Sequence, residues 1–315
     1  QLHAAIGAAL GTPYPYILFE KQPEELASFL QGDSWAGLNV TIPYKEAVIP
    51  YCDALSDEAS EIGAVNTIVR DGERLIGHNT DYAGFRALLR ENGVAVRGAN
   101  CLVLGSGGAS KTVQCVLRDL GAAKVTVVSR SGDVNYTNAS QQQDAVLLVN
   151  TTPIGMYPNN GQAPLYPGSF TRLQWAVDVI YNPLRTNLLC QANKAGMETV
   201  GGLGMLIGQG IAAAELFLGR AIPQTIGAKI EKDMLLEKEN IVLIGMPGVG
   251  KTTVGMEIAD RMGREFYDID QMIVYDDGRE IPQIFAEEGE AYFRQLEQKI
   301  VLSLANVTGA VIACG

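Results

Sequence analysis

Residues 245–252 of this 315-residue chain have the sequence GMPGVGKT, a complete GxxxxGK[ST] motif that few folds can carry. An apolar run, residues 241–244, precedes the motif, and a helical pattern follows it. In this setting backbone amides surround phosphate groups, the lysine reaches the terminal phosphates and the threonine hydroxyl binds Mg²⁺. The motif therefore predicts an α/β unit with a buried strand and a nucleotide site made of Gly248, Val249, Gly250, Lys251, Thr252 and Thr253.

A second glycine-rich turn, GSGGA, lies between an apolar run over residues 101–104 and a helix predicted over residues 111–120. Its residues are Gly105, Ser106, Gly107, Gly108 and Ala109. Glycines at such a turn let the backbone approach a pyrophosphate, which then rests on the helix N-terminus. Ser110 replaces the third glycine of the GxGxxG fingerprint, so a plain tight turn between strand and helix is the alternative interpretation.

The residues after the next predicted strand, residues 124–128, indicate which dinucleotide would bind. An NAD enzyme would carry an acidic residue there to hold the ribose hydroxyls, whereas this chain has Ser129, Arg130 and Ser131. A guanidinium between two hydroxyls suits a 2′-phosphate, which favours NADP. The alternative is a solvated arginine at the end of a strand.

The order of apolar runs predicts the fold class. Runs separated by helices or turns indicate a doubly wound parallel sheet, and they cover residues 101–104, 124–128, 145–149, 176–180 and 198–200. Before them, a strand is predicted over residues 38–42, and Asp71-Gly72 between two β-rich runs predicts a hairpin. A helix is predicted over residues 205–218, closed by Gly219 and free to pack on the first domain.

We therefore expect an α/β protein with three structural parts. Residues 1–98 form a first α/β domain that a helix over residues 204–220 completes, and residues 99–203 form a doubly wound dinucleotide domain. The charged residues 221–238 are an exposed helix or linker, and residues 239–315 form a phosphate-loop domain.

The charge balance points to small-molecule partners. The chain has 24 Lys and Arg against 35 Asp and Glu, a net charge of −11, which argues against nucleic-acid binding because phosphate contacts need a basic face. The five cysteines lack paired spacing and suit reduced thiols. No apolar run reaches the roughly 18 residues of a membrane span and no leader peptide is recognisable, so we expect a cytoplasmic protein.

Three polar motifs stand out in the first 98 residues: NVTIPYK at 39–45, GAVNT at 63–67 and GHNTDYAG at 77–84. Hydroxyls, amides, one lysine and one aspartate fit a pocket for a polyol or hydroxy acid. Each candidate also has a plain structural explanation: Lys45 as a surface lysine, Asp81 as the N-cap of a helix over residues 83–90, and Asn66 as a turn residue.

Taken together, these motifs resemble those of shikimate dehydrogenase. The GSGGA turn, DVIYNP at 178–183 with Thr186, and GLGMLIGQ at 202–209 follow in the order of that family, over residues 1 to about 225. The resemblance implies NADPH-dependent reduction of 3-dehydroshikimate to shikimate, with Lys45 and Asp81 as the catalytic pair. It implies further substrate contacts from Thr41, Asn66, Tyr181 and Gln209, and cofactor contacts from the GSGGA turn, Ser129, Arg130, Ser131, Thr151, Val179 and Gly202.

The motifs after residue 250 resemble shikimate kinase: FYDID at 266–270, IPQIF at 281–285 and GEAYFRQLE at 289–297. This resemblance implies ATP as a substrate, with Mg²⁺ held near Thr252 and Asp268, and shikimate bound by Asp270, Arg294 and Gly315. The alternatives are an acidic strand end for Asp268 and Asp270, and an ion pair with Glu290 on the helix surface for Arg294.

The two resemblances converge on one metabolite, because the dehydrogenase would create the hydroxyl that the kinase phosphorylates. We expect a part of a bifunctional protein of chorismate and aromatic amino acid biosynthesis. The chain starts without Met, and the Ser-x-Ser substrate motif of the dehydrogenase family is expected just before residue 1. It stops at Gly315, before the lid that the kinase resemblance implies, so we expect no kinase turnover. Two alternatives stay open: a quinate and shikimate dehydrogenase with broader cofactor use, and a non-catalytic nucleotide-binding fragment.

Overall fold

The computed structural model of the chain describes residues 2–12, 14–305 and 307–315. The chain divides into two compact units, Gln1–Glu231 and Lys232–Gly315, and the division falls within one helix, Gln224–Lys238. Among the described residues, no helix combines the length and the apolar character needed to cross a membrane. All five cysteines are free thiols.

The first part of the first unit contains a mixed four-stranded sheet. Its strands are β1 (Gly37–Asn39), β2 (Ala54–Leu55), β3 (Thr67–Asp71) and β4 (Arg74–His78), in the order β1-β3-β4-β2. β3 and β4 pair antiparallel around Gly72, which confirms the predicted hairpin. The helices of this part are α1 (Leu2–Ala9), α2 (Leu26–Gln31), α3 (Asp57–Ile62) and α4 (Thr80–Glu91).

The second part of the first unit is a five-stranded parallel sheet in the order β6-β5-β7-β8-β9. The strands are β5 (Asn100–Leu104), β6 (Lys124–Val128), β7 (Leu147–Asn150), β8 (Trp175–Asp178) and β9 (Glu198–Val200). Helix α5 (Gly108–Asp119) follows β5, and α6 (Asn187–Lys194) follows β8. The predicted doubly wound parallel sheet is confirmed, because the chain runs from β5 to β6 at one edge and then crosses back to add β7, β8 and β9 on the other side of β5.

Alternating side chains of β5 supply both faces of this sheet. Cys101 and Val103 pack with α4 and α5 on one face, while Leu102 and Leu104 pack on the other face with α6. Side chains of a strand point alternately to opposite faces, so a strand covered by helices on both sides is apolar throughout. This double coverage explains why the strand appears in the sequence as a continuous apolar run.

Helix α7 (Leu203–Leu218) follows β9 and crosses α4 at very short distance. A Cβ atom built on Gly208 would lie 3.0 Å from the Gly84 Cα, and one built on Gly84 would lie 2.5 Å from the Met205 carbonyl oxygen. Only glycine leaves room for two helix backbones to approach so closely. Gly219 ends α7 in the left-handed conformation, as the sequence predicts. Helix α8 (Gln224–Lys238) follows, in the segment expected to be an exposed helix or linker.

The second unit contains a three-stranded parallel sheet in the order β10-β12-β11. The strands are β10 (Ile241–Leu243), β11 (Phe266–Asp268) and β12 (Val311–Ala313). The helices are α9 (Lys251–Met262), α10 (Ile269–Asp277), α11 (Ile281–Glu287) and α12 (Gly289–Ser303). Their core consists mainly of Ile273, Ile284, Phe293 and Ile300.

Two strand predictions need correction. The strand expected over residues 38–42 ends at Asn39, because the N–H of Val40 turns to the Asn66 carbonyl and a turn follows. The strand expected to be buried over residues 241–244 lies at the edge of its sheet in the described part of the chain, where Val242 is 51% exposed. Local hydrophobicity identified the strand but not its position in the sheet.

Candidate active site and nucleotide sites

Lys45 and Asp81 form an ion pair in the first unit. Lys45 Nζ donates a hydrogen bond to Asp81 Oδ2 at 2.6 Å, and the two side chains are 25% and 15% exposed. Lys45 lies in the turn that follows β1, and Asp81 lies in the first turn of α4. The pair therefore combines a partly shielded ammonium with a carboxylate that holds it in place.

The N-cap of α4 is Asn79. Its side-chain oxygen accepts a hydrogen bond from the Tyr82 backbone N–H at 3.3 Å, and its amide group donates to the Ala64 carbonyl at 2.9 Å. The interpretation of Asp81 as the cap is wrong, because the helix begins at Thr80 and Asp81 lies inside its first turn. The Asp81 carboxylate is therefore available to Lys45.

Asn66 is buried where β3 begins and joins this strand to α4. Its Oδ1 accepts hydrogen bonds from the Thr80 backbone N–H at 2.7 Å and from Thr67 Oγ1 at 3.2 Å. The preceding residue, Val65, donates its N–H to the Lys45 carbonyl at 2.8 Å. The GAVNT motif thus fixes the backbone of Lys45 and the start of the helix that carries Asp81, which a solvated turn residue would not do.

Three other residues predicted to contact the substrate lie on separate elements. Thr41 is exposed in the turn that leads to Lys45, where its carbonyl accepts from the Tyr44 N–H at 2.9 Å. Gln209 lies on α7 at the crossing with α4, since a Cβ atom on Gly84 would be 2.8 Å from its backbone nitrogen. Tyr181 follows β8 and is 42% exposed.

Sequence reasoning missed the hydroxyls that complete the Asn66 network. Thr67 and Thr80 are buried, their hydroxyls lie 3.1 Å apart, and Asn39 Nδ2 donates to Thr67 Oγ1 at 3.1 Å. All three residues stand inside the motifs NVTIPYK, GAVNT and GHNTDYAG, so the signal was present in the clustering of polar residues. Because Thr67 and Thr80 are buried and uncharged, we interpret them as residues that hold the site in place.

The GSGGA turn fits a bound pyrophosphate. Gly105 has a φ of 102°, in the region that favours glycine. A Cβ atom on Gly107 or Gly108 would meet no atom within 4 Å, so the space in front of the turn is open. Helix α5 begins at Gly108 without a side-chain cap or an acidic residue in its first turn. Its first N–H groups are therefore available to an anion.

The other predicted cofactor residues gather at the carboxyl ends of neighbouring parallel strands. Thr151 follows β7, and its Oγ1 donates to the Leu104 carbonyl at 2.6 Å, which places it beside Gly105. Val179 follows β8, and a side chain on Gly202 would overlap its carbonyl. Ligands of open α/β sheets bind at this edge, so the structure brings Thr151, Val179 and Gly202 to the edge that carries the glycine turn.

Ser129, Arg130 and Ser131 follow β6 at the same edge. Ser129 is buried, whereas Arg130 and Ser131 are exposed. Arg130 takes part in none of the ion pairs formed among the described residues. Burial raises the pKa of Tyr136, and the charge of Arg130 opposes that rise. The Arg130 guanidinium is thus available to an anionic group.

Asp178, at the end of β8, is a buried residue whose role the sequence did not reveal. Its carboxylate accepts from Thr186 Oγ1 at 2.7 Å, from the Ile180 N–H at 3.0 Å and from Asn150 Nδ2 at 3.1 Å. Burial raises the pKa of Asp178, and these hydrogen bonds oppose the rise. The network holds the segments that follow β7 and β8, which carry Thr151 and Val179.

The phosphate-binding loop of the second unit connects β10 to α9. Lys251 Nζ donates to the carbonyls of Gly245 at 2.8 Å and Met246 at 3.0 Å, and so lies across the loop. Thr252 Oγ1 donates to Asp268 Oδ2 at 2.6 Å. A hydroxyl and a carboxylate in contact beside a phosphate loop suit Mg²⁺, which prefers oxygen ligands. Gly248, Val249 and Thr253 are exposed around this pair.

Asp270 and Gly315 lie against each other, because a Cβ atom on Gly315 would overlap the Asp270 carboxylate. Burial and the charge of Asp268 raise the pKa of Asp270, while Lys251 lowers it. Arg294, on α12, pairs with Glu297 at 2.9 Å and with Glu290 at 3.4 Å. The surface ion pair considered for Arg294 is therefore present.

Comparisons with known proteins match both units. Residues 1–68 match the family model of the shikimate dehydrogenase substrate binding domain, and residues 247–315 match that of shikimate kinase. A shikimate dehydrogenase (NADP(+)) of Moorella thermoacetica is 36% identical over 261 residues, which cover 74% of this chain and 88% of that protein.

Solved structures give the same result. A chorismate mutase/shikimate 5-dehydrogenase fusion protein from Clostridium acetobutylicum matches with a TM-score of 0.71 and 34% identity, over 74% of this chain and 90% of that chain. The shikimate 5-dehydrogenase from Thermus thermophilus, solved in complex with NADP(H) and shikimate, matches with a TM-score of 0.64 and 32% identity. That match covers 74% of this chain and 95% of the solved one.

Proposed function

Because the chain belongs to the shikimate dehydrogenase family, we propose that its first unit reduces 3-dehydroshikimate to shikimate with NADPH and also runs the reverse reaction. The observation that carries the proposal is the 2.6 Å contact between Lys45 and Asp81, in the same unit as a glycine turn with open space before it. A charged, partly shielded lysine is suited to exchange a proton with a reacting oxygen.

When held by the GSGGA turn and Arg130, NADPH would supply the hydride that reduces the C3 carbonyl carbon. Negative charge then develops on the carbonyl oxygen, and Lys45 Nζ donates the proton that converts this oxygen to the hydroxyl. Asp81 keeps the ammonium in position and balances its charge, and Lys45 regains a proton from solvent. In the oxidative direction, the neutral amine of Lys45 accepts the hydroxyl proton.

The residues around this pair are assigned to the substrate. We propose that Thr41, Asn66, Tyr181 and Gln209 bind the hydroxyls and the carboxylate of shikimate. The support for Asn66 is its buried position beside the start of α4, and that for Gln209 is its place at the crossing of α4 and α7. Thr41 and Tyr181 are exposed side chains next to the elements that carry Lys45 and Val179.

For the cofactor, we propose that the GSGGA turn holds the pyrophosphate and that Arg130, with Ser129 and Ser131, holds the 2′-phosphate of NADP. Replacing Arg130 by alanine should lower kcat/KM for NADP⁺ by about 10- to 100-fold, the value of a charge-assisted hydrogen bond. The rate with NAD⁺ should change by less than about twofold, since NAD⁺ has no 2′-phosphate.

The control for this experiment is Arg172→Ala. Arg172 is exposed and precedes β8, so it lies at the opposite edge of the sheet. Steady-state rates with both cofactors, and with shikimate and quinate as substrates, decide the outcome. Equal losses with NADP⁺ and NAD⁺ in Arg130→Ala would overturn the assignment, and a wild-type preference for NAD⁺ with quinate would support the broader enzyme instead.

For the second unit, we propose an ATP and Mg²⁺ site. Gly248, Val249, Gly250, Lys251, Thr252 and Thr253 would bind the phosphates, and Thr252 and Asp268 would hold the metal; Asp270, Arg294 and Gly315 would contact shikimate. The 2.6 Å contact between Thr252 and Asp268 supports this site. Binding of a fluorescent ATP analogue to the full chain, with the dinucleotide site saturated by NADP⁺, tests it, and no Mg²⁺-dependent binding would contradict it.

We further propose that residues 1–98, completed by the helix over residues 204–220, form the substrate-binding domain and that residues 99–203 form the NADP domain. Residues 221–238 would connect them to a kinase-type domain over residues 239–315. The chain would act on small molecules in the cytoplasm, within chorismate and aromatic amino acid biosynthesis. Five free thiols fit such a reducing compartment.

A further inference from the structure

An ion pair joins the turn that carries Lys45 to the helix that follows the glycine turn. Lys111 Nζ donates to Glu46 Oε1 at 2.6 Å. Glu46 is the direct neighbour of Lys45, and Lys111 lies in α5, where its N–H bonds to the carbonyl of Gly107 at 3.1 Å. One side-chain contact therefore connects the proton donor of the proposed reaction to the proposed pyrophosphate turn.

We propose that Glu46 and Lys111 are positioning residues of the dehydrogenase, which set the distance between Lys45 and the bound dinucleotide. This inference rests on the proposed function of the first unit. Lys45 is held on the substrate side by Asp81 and by the N–H of Val65. Neither contact involves a residue of α5, whereas the Glu46 side chain bonds to Lys111 in the first turn of that helix.

The two ends of α5 are held by different kinds of contact. At the C-terminal end, Tyr82 donates to Asp119 Oδ2 at 2.6 Å, and Arg118 lies 3.9 Å from Glu61. Tyr82 is buried on α4, so this end of α5 is fixed by packing. The N-terminal end of α5 meets the Lys45 turn through the exposed Glu46–Lys111 pair, whose side chains are 62% and 44% exposed.

Exposed ion pairs contribute little to folding stability. The same pair can have a larger effect on the reaction rate, because the rates of hydride and proton transfer are sensitive to small changes in the distance between the reacting groups. We therefore expect a change in kcat without a comparable change in stability. The contact also predicts a dependence of kcat on ionic strength, since salt screens exposed charges.

The test is a charge reversal in the full chain. Glu46→Lys and Lys111→Glu should each lower kcat for NADP⁺-dependent shikimate oxidation by about 3- to 10-fold and leave KM for shikimate within twofold. The double variant, which restores the pair with exchanged charges, should recover kcat to within about twofold of the wild type. Glu61→Gln is the matched control, because it breaks the exposed pair at the far end of α5 and should leave kcat unchanged.

Hydrogen exchange without cofactor gives a second readout. In Glu46→Gln, amides in residues 42–50 should exchange several-fold faster, and in Glu61→Gln they should not. Loss in the double variant equal to the product of the two single losses, or unchanged exchange in Glu46→Gln, would overturn the inference. If Lys111 only binds phosphate, Lys111→Glu raises KM for NADP⁺ and Glu46→Lys has no effect, which also overturns it.

The two proposals fail in different ways. A wild-type chain without shikimate oxidation would contradict the proposed function, while the exchange experiment would still report whether Glu46 fixes the Lys45 turn.

Discussion

Replacing Lys45 by methionine should lower kcat for NADP⁺-dependent shikimate oxidation by about 10³-fold, within the range of general acid–base catalysis. Methionine keeps the length of the side chain and removes the amine that we propose exchanges a proton with the C3 oxygen. The affinity for NADP⁺ should remain unchanged, because Lys45 contacts Asp81 and lies outside the glycine turn. Initial rates and NADP⁺ titration by protein fluorescence measure the two quantities.

The control for this variant is Lys124→Met. Lys124 begins β6 at the edge of the sheet opposite the glycine turn, where its amine donates to Gln142 Oε1 at 3.1 Å. It should retain wild-type rates. Near-normal turnover in Lys45→Met would show that another group exchanges the proton, and loss of NADP⁺ binding in the variant would show a structural effect in place of a chemical one.

Replacing Gly84 by alanine should destabilise the first unit by about 3 kcal/mol, at the upper end of the usual cost of overpacking. The added methyl would lie 2.5 Å from the Met205 carbonyl oxygen and 2.8 Å from the Gln209 nitrogen. Both are backbone atoms of α7, so rotation of a side chain cannot make room. Helices α4 and α7 must separate, which also moves Asp81 and Gln209.

Tryptophan fluorescence isolates this effect. The two tryptophans of the chain, Trp35 and Trp175, both belong to the first unit, so urea denaturation followed at their emission reports that unit alone. Gly161→Ala is the matched control, since a Cβ atom there would meet nothing within 4 Å. A Gly84→Ala midpoint equal to that of the control would show that the two helices are not in this close contact.

The sequence predicted the structure correctly where a short segment allows only one conformation. Asp71-Gly72 between two β-rich runs leaves few alternatives to a hairpin, and the structure has one. The apolar run from Cys101 to Leu104 is buried on both faces, which a parallel sheet between helices requires. Gly219, in the left-handed conformation, marks the end of α7 as the sequence indicated.

The sequence did not predict which of two chemically similar neighbouring residues takes a given structural role. Asn79 and Asp81 both suit an N-cap, and tertiary contacts decide between them: the Ala64 carbonyl binds the Asn79 amide, and Lys45 binds Asp81. Likewise, the apolar run over residues 241–244 predicts a strand, but its exposure depends on which strands pair with it. Pairing between distant segments has no local signal.

The site shows the same contrast. The motifs identified Lys45 and Asp81, and the structure brings them into contact across 36 positions of sequence. The buried supports Thr80 and Asp178 were not identified, because a threonine or an aspartate in a polar motif has the same local pattern whether it contacts a substrate or another side chain. Only the three-dimensional contacts show that Asp178 is surrounded by donors.

The position of the transferred hydride shows whether the first unit reduces C3 of 3-dehydroshikimate with Lys45 as the proton donor. The full chain is incubated with 3-dehydroshikimate and NADPH that carries deuterium at its transferable C4 position, and the product is examined by proton NMR. We predict shikimate with deuterium at C3, formed about 10³-fold more slowly by Lys45→Met. Product that carries no deuterium at C3, or equal rates with Lys45→Met, would contradict hydride transfer to C3 with Lys45 as the proton donor.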